Sequence, residues 1–400
     1  MQAAPGNAGI AADVACLPLD PNDPVAVADY SVRENIALVV IGPEAPLVAG
    51  VADAVRERGI AVFGPSQAAA QLEGSKAFAK RIMDAAGVPT GRAASAANLA
   101  ELTEALDTFG DPYVVKADGL AAGKGVIVTT DRDAAIEHAE QYLSSGEVLV
   151  EEFLSGPEVS LFFLSDGDTV AALSPAQDFK RLGDGDSGPN TGGMGAYSPL
   201  PWLDARFGSE GAFVDAVQRT VAQPVISQLD AEGTPFVGLL YCGLILTRDG
   251  IKVIEFNARF GDPETEVVLP RLETPLSTLL FAAATGTLES APTPVFSDEA
   301  AVTVVVASEG YPASPLTGRV LHGVDQANAV DGVHVDHAAT ELNDSGDLIA
   351  TGGRVLNVVA LGADLSQARE RAYRAVDLIE LEGSQSRRDI AQRAAEGEAL

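Results

Sequence analysis

Apolar runs and helical stripes alternate along the first ninety residues. IALVVIGPEAP reads as a buried strand ending in a polar loop, LVAGVADAVRERG as a helix stopped by Gly59, and IAVFGPS as a second short strand. This βαβ rhythm predicts a parallel sheet, whose ligands bind beyond the carboxyl ends of the strands. Those ends carry Pro43, Glu44 and Pro46, then Gly64, Pro65 and Ser66. Residues 75–86 read as a helix with Gly87-Val88-Pro89 as its stop, and Leu99–Phe109 as another.

The pattern then changes. PYVVKAD and GVIVTT read as strands around a glycine-rich loop, 133–143 as a helix, and EVLVEEFL and EVSLFFLSD as strands joined at Gly156-Pro157. A long polar loop, DFKRLGDGDSGPNTGGMGAYSP, follows, then a helix over 211–230 and the strands VGLLYCGLILT and IKVIEFNAR. LPRLETPLSTLLFAAATG is expected to form one helix against them. The Pro-rich stretch 291–297 reads as a linker. Beyond it AVTVVVAS, GRVLHGV and RVLNVVALG read as strands and 365–378 as an amphipathic helix, a separate C-terminal α+β domain. No internal repeat or long low-complexity tract interrupts the series.

Three stretches carry chemistry. In PYVVKADGLAAGKGVIV a buried strand ends at Lys116, and Gly119, Gly123 and Gly125 allow close backbone approach, so N–H groups and lysines can cradle phosphate. It is not a Walker A loop: Gly119 to Gly123 is one residue short, and Gly125 stands where Ser or Thr would bind Mg²⁺. In VLVEEFLSGPEVS, Glu151 and Glu152 follow a β-branched run on opposite strand faces, with Glu158 beyond the turn. In VIEFNARFGDPETE, Glu255 and Asn257 share one strand face while Ile254 and Phe256 are expected to face a core. Their carboxylate and amide oxygens are hard ligands suited to Mg²⁺, which takes few protein ligands beside phosphates and water. Arg259 offers a bidentate fork for carboxylate or phosphate, and Gly261-Asp262-Pro263 turns the chain toward Glu264.

Composition sharpens this picture. With 400 residues, 46% of them hydrophobic, the chain is expected to form about two or three domains with real cores. A net charge of −31 argues against nucleic acid and anionic membranes as partners. It leaves room for a small phosphorylated ligand in a locally positive pocket. No apolar run reaches the roughly 18 residues of a membrane helix. Met1 is followed by neither a basic nor an apolar leader, and Cys16 and Cys242 are too few for a disulfide framework, so a reducing cytoplasm is expected. Of the lysines Lys76, Lys80, Lys116, Lys124, Lys180 and Lys252, all but the last fall in one stretch, which concentrates compact positive charge there. None of His138, His322, His334 and His337 lies in these motifs. Chemistry by positioning and electrostatics, as in phosphoryl transfer, is expected rather than a protein nucleophile.

APGNAG, GPEAPLVAGV, QLEGSKAFAK, VVKADGLAAGKGV, VEEFL, QDFKRLGDGDSGPNTGGMGAYSP, VIEFNARFGDPETE and TGGRVLNVVALG together resemble the phosphoribosylamine–glycine ligases, an ATP-grasp family of purine synthesis, in the family's order and over nearly the whole chain. The resemblance implies an α/β and α+β multidomain chain. Its parts would be an N-terminal parallel-sheet domain over 1–72, an ATP-grasp domain over 73–298 with a lid over about 93–160, and a C-terminal α+β domain over 299–400. It implies that ATP phosphorylates glycine and that the amine of 5-phosphoribosylamine attacks the glycyl phosphate, with Mg²⁺ (or Mn²⁺) as the metal. By motif position, Glu255 and Asn257 would be metal ligands. Lys76, Lys116, Gly123, Lys124, Gly125, Glu151, Glu152, Phe153, Leu154 and Glu158 would bind ATP. Asp178, Lys180, Arg259 and Asp262 would face the reacting centre. Pro43, Glu44, Ala45, Asn190, Thr191, Gly192 and Gly193 would hold the other substrates. A monomer or weak oligomer is expected.

Two departures stand out. The family opens with a strand and a glycine-rich turn not seen before APGNAG, so the N-terminal sheet is expected to lack its first strand and helix. This form is then expected to be weakly active or unstable, or to start upstream of Met1. Phe179 also stands where the family carries histidine. Two rival readings follow from these departures: another ATP-grasp carboxylate–amine ligase, or a nucleotide-binding form impaired in catalysis.

Overall fold

The computed structural model describes residues 1–119, 125–144 and 146–398. The N-terminal segment holds two parallel strand pairs, Gln2–Ala3 with Ala15–Cys16 and Leu38–Val40 with Ala61–Phe63. Helix Pro24–Arg33 begins where Asp23 accepts from the amides of Val25 and Ala26, with Pro24 in its first turn. The single helix expected over 47–59 is two, Glu44–Val48 and Val51–Glu57. Gly50, at φ +84°, breaks it because a left-handed residue cannot continue a right-handed helix.

Three antiparallel sheets follow. The lid sheet runs in the order Ala93–Ala96, Val148–Glu151, Tyr113–Ala117, Val126–Thr129. Its core residues, among them Val115, Val148 and Val150, are shared with helices Leu99–Phe109 and Arg132–Leu143. The central sheet runs Val170–Ala172, Glu158–Asp166, Val237–Thr247, Gly250–Asn257. The C-terminal sheet runs Gln177–Asp178, Gly195–Ser198, Ala300–Ala307, Arg354–Gly362, Val333–His337, backed by helix Leu365–Val376.

That last order corrects the long polar loop expected after residue 177. Its ends are strands of the C-terminal sheet, and its middle is a hairpin of Arg181–Gly183 with Ser187–Asn190. Glycines and polar residues hid these pairings, and Gly195–Ser198 also pairs with Ala300–Ala307, more than a hundred residues away. The helix expected over 211–230 spans Glu210–Val217 and Gln223–Ala231, joined by a widened turn at Gln218–Ala222. Pro224 donates no hydrogen bond, and the wider turn absorbs its ring. LPRLETPLSTLLFAAATG is not one helix. A 3-10 turn, Leu269–Arg271, precedes helix Leu276–Ala284, because Pro275 disfavours a helical residue before it. GRVLHGV makes only single bridges, Val320 to Ile349 and His322 to Glu380, before helix Val324–Asn328.

Candidate active site

The lid, the central sheet, the end of the N-terminal segment and the C-terminal sheet enclose one cleft of about 1800 Å³. Strand Gly250–Asn257 forms its floor. Its pairing shifts between Gly243 and Leu244: Glu255 faces Gly243 while Val253 faces Leu244, so Ile254 is an extra, bulged residue. The expected alternation therefore fails at one position. Val253 and Phe256 are the buried pair, and Ile254 lines the cleft with Glu255 and Asn257. The bulge re-aims the strand end, and its Ile254 carbonyl accepts from Lys116 Nζ at 3.4 Å.

Glu255 is the electrostatic centre. Burial pushes its carboxyl up, but Lys180, Lys116, Lys76 and Arg259 together outweigh burial and hold it below the usual range. Its side chain remains 39% accessible, so its oxygens are open to a ligand. Lys180 Nζ lies 3.8 Å from Glu255 and 3.1 Å from Glu158. Lys76 opens helix Lys76–Ala85; its amide donates to Asp118 Oδ1 at 2.6 Å and its Nζ to the Gly119 carbonyl at 3.0 Å. A hard-oxygen pair, Glu255 and Asn257, set among four cations fits a metal that bridges to phosphate. Among the described residues no group of three or more His, Cys, Asp or Glu is placed to hold a metal ion.

Arg259 uses all of its fork. Its Nη2 lies 3.2 Å from Glu73, its Nε 3.5 Å from Glu44, and its Nη1 donates to the Phe260 carbonyl at 3.0 Å. The other Glu73 oxygen accepts from the Ala258 amide at 2.7 Å, locking the strand end. Glu73 was not among the sequence candidates, although it lies in the QLEGSKAFAK stretch.

Asp178, Asn190, Thr191 and Gly192 line the same cleft as Arg259. Asp178 Oδ1 is buried without a hydrogen-bond partner. Burial, and then Glu264, push its carboxyl well above the usual range, against Lys180 and Arg354. Glu264 is itself buried and accepts from the Tyr241 hydroxyl and, at 2.9 Å, from Ser160. Arg354, from the C-terminal sheet, donates to the carbonyls of Gly192 and Asp262, each at 2.7 Å, and reaches the Asp262 carboxylate at 3.2 Å. The stretch TGGRVLNVVALG contains Arg354, but nothing in its spacing tied that arginine to Asp262.

Gly193 shows how tightly this corner is packed. At φ +115° a Cβ would lie 2.4 Å from Pro263 Cδ and 2.8 Å from Asp178 Oδ1. Gly193→Ala is expected to displace the loop and lower turnover by about tenfold or more, with ADP affinity unchanged. Steady-state kinetics beside a nucleotide titration check it.

The lid is joined to the core through charges. Lys116 and Glu151 are buried and paired at 3.0 Å, and Lys80 reaches the same Glu151 oxygen at 3.4 Å. Glu152 takes Arg92 and Lys252, each at 2.9 Å. Burial pushes the Glu152 carboxyl up, but these bonds outweigh it and hold it at about 2. Its folded value is depressed, so its contribution is full above its ordinary 4.5 and lost as pH falls toward about 2. Glu152→Gln is expected to lower stability by about 1 kcal/mol at neutral pH. The difference in thermal midpoint from wild type should close across that acid window.

The cleft gathers most of the sequence candidates. Pro43, Glu44, Lys76, Lys116, Gly125, Glu151, Glu152, Phe153, Leu154, Glu158, Asp178, Lys180, Asn190, Thr191, Gly192, Glu255, Asn257, Arg259 and Asp262 line it. Ala45 and Gly193 are not among its lining residues, Gly193 standing behind Thr191 and Gly192. Gly123 and Lys124 lie outside the described residues.

Three family profiles match the chain. They are the N domain of phosphoribosylglycinamide synthetase over residues 1–73, its ATP-grasp (A) domain over 74–265 and its C domain over 301–393. The phosphoribosylamine–glycine ligase of Leifsonia xyli subsp. xyli is 67% identical, over 98% of this chain and 93% of its own. That of Streptomyces coelicolor is 58% identical, over 99% and 93%. The crystal structure of the Thermotoga maritima phosphoribosylamine–glycine ligase superimposes with a TM-score of 0.81 at 32% identity, covering 98% of this chain and 93% of that one.

Proposed function

The chain belongs to the phosphoribosylamine–glycine ligase family, and from that premise we propose which of its residues serve each step. It joins glycine to 5-phosphoribosylamine in purine synthesis, converting ATP to ADP and phosphate and giving glycinamide ribonucleotide. An identity of 67% over nearly the full length gives a different amine acceptor no support. The impaired form is not favoured either.

The observation that carries the assignment is the convergence of Lys76, Lys116, Lys180 and Arg259 on Glu255, beside Asn257, in a cleft that lid and core share. Lys76 and Lys116 neutralise the phosphates of ATP, and Glu151 keeps Lys116 extended toward them. Gly125, Glu152, Phe153, Leu154 and Glu158 border the nucleoside, and the motif resemblance alone adds Gly123 and Lys124 to this set. Glu255 and Asn257 would hold Mg²⁺ or Mn²⁺, which when bound supplies positive charge to the phosphate oxygens.

A bare carboxylate is a poor acyl donor. Phosphorylation gives it a leaving group, and the γ-phosphoryl of ATP passes to a glycine oxygen while ADP departs. Arg259 and Lys180 stabilise the charge on the glycyl phosphate. The neutral amine then attacks the glycyl carbonyl and the C–O bond to phosphate breaks. Asp178 Oδ1, buried and without a partner, takes the proton the amine sheds. Asp262 orients the loop of Asn190, Thr191, Gly192 and Gly193 through Arg354. Pro43, Glu44 and Ala45 flank the phosphoribosyl group. Two free cysteines accord with a cytoplasmic location.

The test is ADP release with Mg·ATP, glycine and freshly generated phosphoribosylamine, omitting each in turn. Release that needs all of them supports the reading. Nucleotide binding without glycine-dependent release would overturn it.

A further inference from the structure

Arg387 has the largest side chain buried to within 2% of full burial, and no step above uses it. Burying a guanidinium carries a large desolvation cost unless every donor is matched. Here four of the five N–H donors are matched by one small hairpin and its neighbour. Nε and Nη2 each donate to an oxygen of Asp389 at 2.8 Å. Nη1 donates to Asp186 at 2.8 Å and to the Arg181 carbonyl at 3.1 Å. The guanidinium carbon sits 4.8 Å from the centroid of Phe179, within cation–π range.

The adjoining backbone repeats the grip. The Gly185 amide donates to Asp389 at 2.8 Å, and the Arg388 amide donates to Asp184 at 2.7 Å. The clasped hairpin pairs only at Arg181 with Asn190 and Gly183 with Ser187, with a register shift between them. A two-stranded hairpin this short is marginal alone. Its base is the reacting centre: Phe179 lies between Asp178 and Lys180, and the Lys180 carbonyl accepts from both the amide and the hydroxyl of Thr191, at 2.7 and 2.9 Å.

Resting on the ligase reading, we propose that Arg387 is a positioning residue of the glycine site. From the C-terminal segment it clamps the 181–190 hairpin and the Phe179 ring, and so fixes Asp178, Lys180 and Thr191 to Gly193 in their working places. Phe179 serves as the ledge for that arginine rather than as a contact to glycine. Most of the nucleotide end of the cleft lies on other elements and meets the clamped stretch through the Glu158–Lys180 pair.

Arg387→Lys keeps the charge and loses the fork. Asp186→Asn weakens the same clamp at a side chain 72% exposed, so it does not endanger folding. The full-length protein is used for both. Arg387→Lys is expected to lower kcat for glycine-dependent ADP release and raise the KM for glycine, each by about tenfold or more, with ADP affinity by calorimetry unchanged. Amide exchange over 181–193 should quicken. Asp186→Asn should shift the same quantities in the same direction by less. Wild-type glycine kinetics in both variants, or an equal loss of ADP affinity, would overturn the clamp. A wild type with no glycine-dependent turnover would instead overturn the reading on which it rests.

Discussion

Glu255→Gln is expected to lower glycine-dependent turnover by about 100-fold or more. The amide keeps the shape and one oxygen donor, so the fold should hold. It removes the one carboxylate at the meeting point of Lys76, Lys116, Lys180 and Arg259. Two losses follow. The proposed metal loses its charged ligand, and the four cations lose one of the charges that offset their mutual repulsion. The deficit should shrink as Mg²⁺ is raised, because weaker binding is countered by mass action. ADP release measured across a Mg²⁺ titration is the check. Wild-type activity at limiting Mg²⁺ would rule out Glu255 as a ligand.

Arg259→Lys is expected to have an effect of similar size, about 100-fold. Arg259 satisfies Glu73, Glu44 and the Phe260 carbonyl with three different nitrogens. A single ammonium cannot span them. Glu73 is buried and its carboxyl is raised by burial, partly offset by Arg259. Losing the fork therefore leaves a poorly compensated carboxylate under the strand that carries Glu255 and Asn257. Turnover should fall, and thermal stability should fall with it. Kinetics and a melting curve on the same sample separate this from Glu255→Gln, which should lose activity with little change in melting. Wild-type kinetics in Arg259→Lys would exclude the fork from catalysis.

Much of the site was legible because its chemistry sits on contiguous motifs. The order Lys116, Glu151, Glu255, Asn257, Arg259 could be read from strand ends carrying charge. What could not be read were partners from distant segments. Arg354 meets Asp262 across 92 residues and Arg387 meets Asp186 across 201; neither arginine stands in a local pattern that announces its partner. Glu73 was hidden for the same reason, since its bond to Ala258 spans 185 residues. The bulge at Ile254 was hidden differently. A strict two-residue period is the default reading of a strand, and only the pairing with Gly243 and Leu244 reveals the extra residue.

The sequence alone determined the kinds of elements, the parallel N-terminal start, the glycine-rich and acidic strand ends, and the resemblance that assigns the reaction. These depend on local periodicity and on residue types at short spacing, which a linear chain displays directly. The tertiary structure decided three further things. The polar stretch after Gln177 became strands and a clasped hairpin, Arg354 and Arg387 found their carboxylates, and four cations came to surround one glutamate. Each depends on which surfaces meet when the sheets pack. Burial then sets the strength of every charge in the cleft, because desolvation and the nearest opposite charge exist only once the chain has folded.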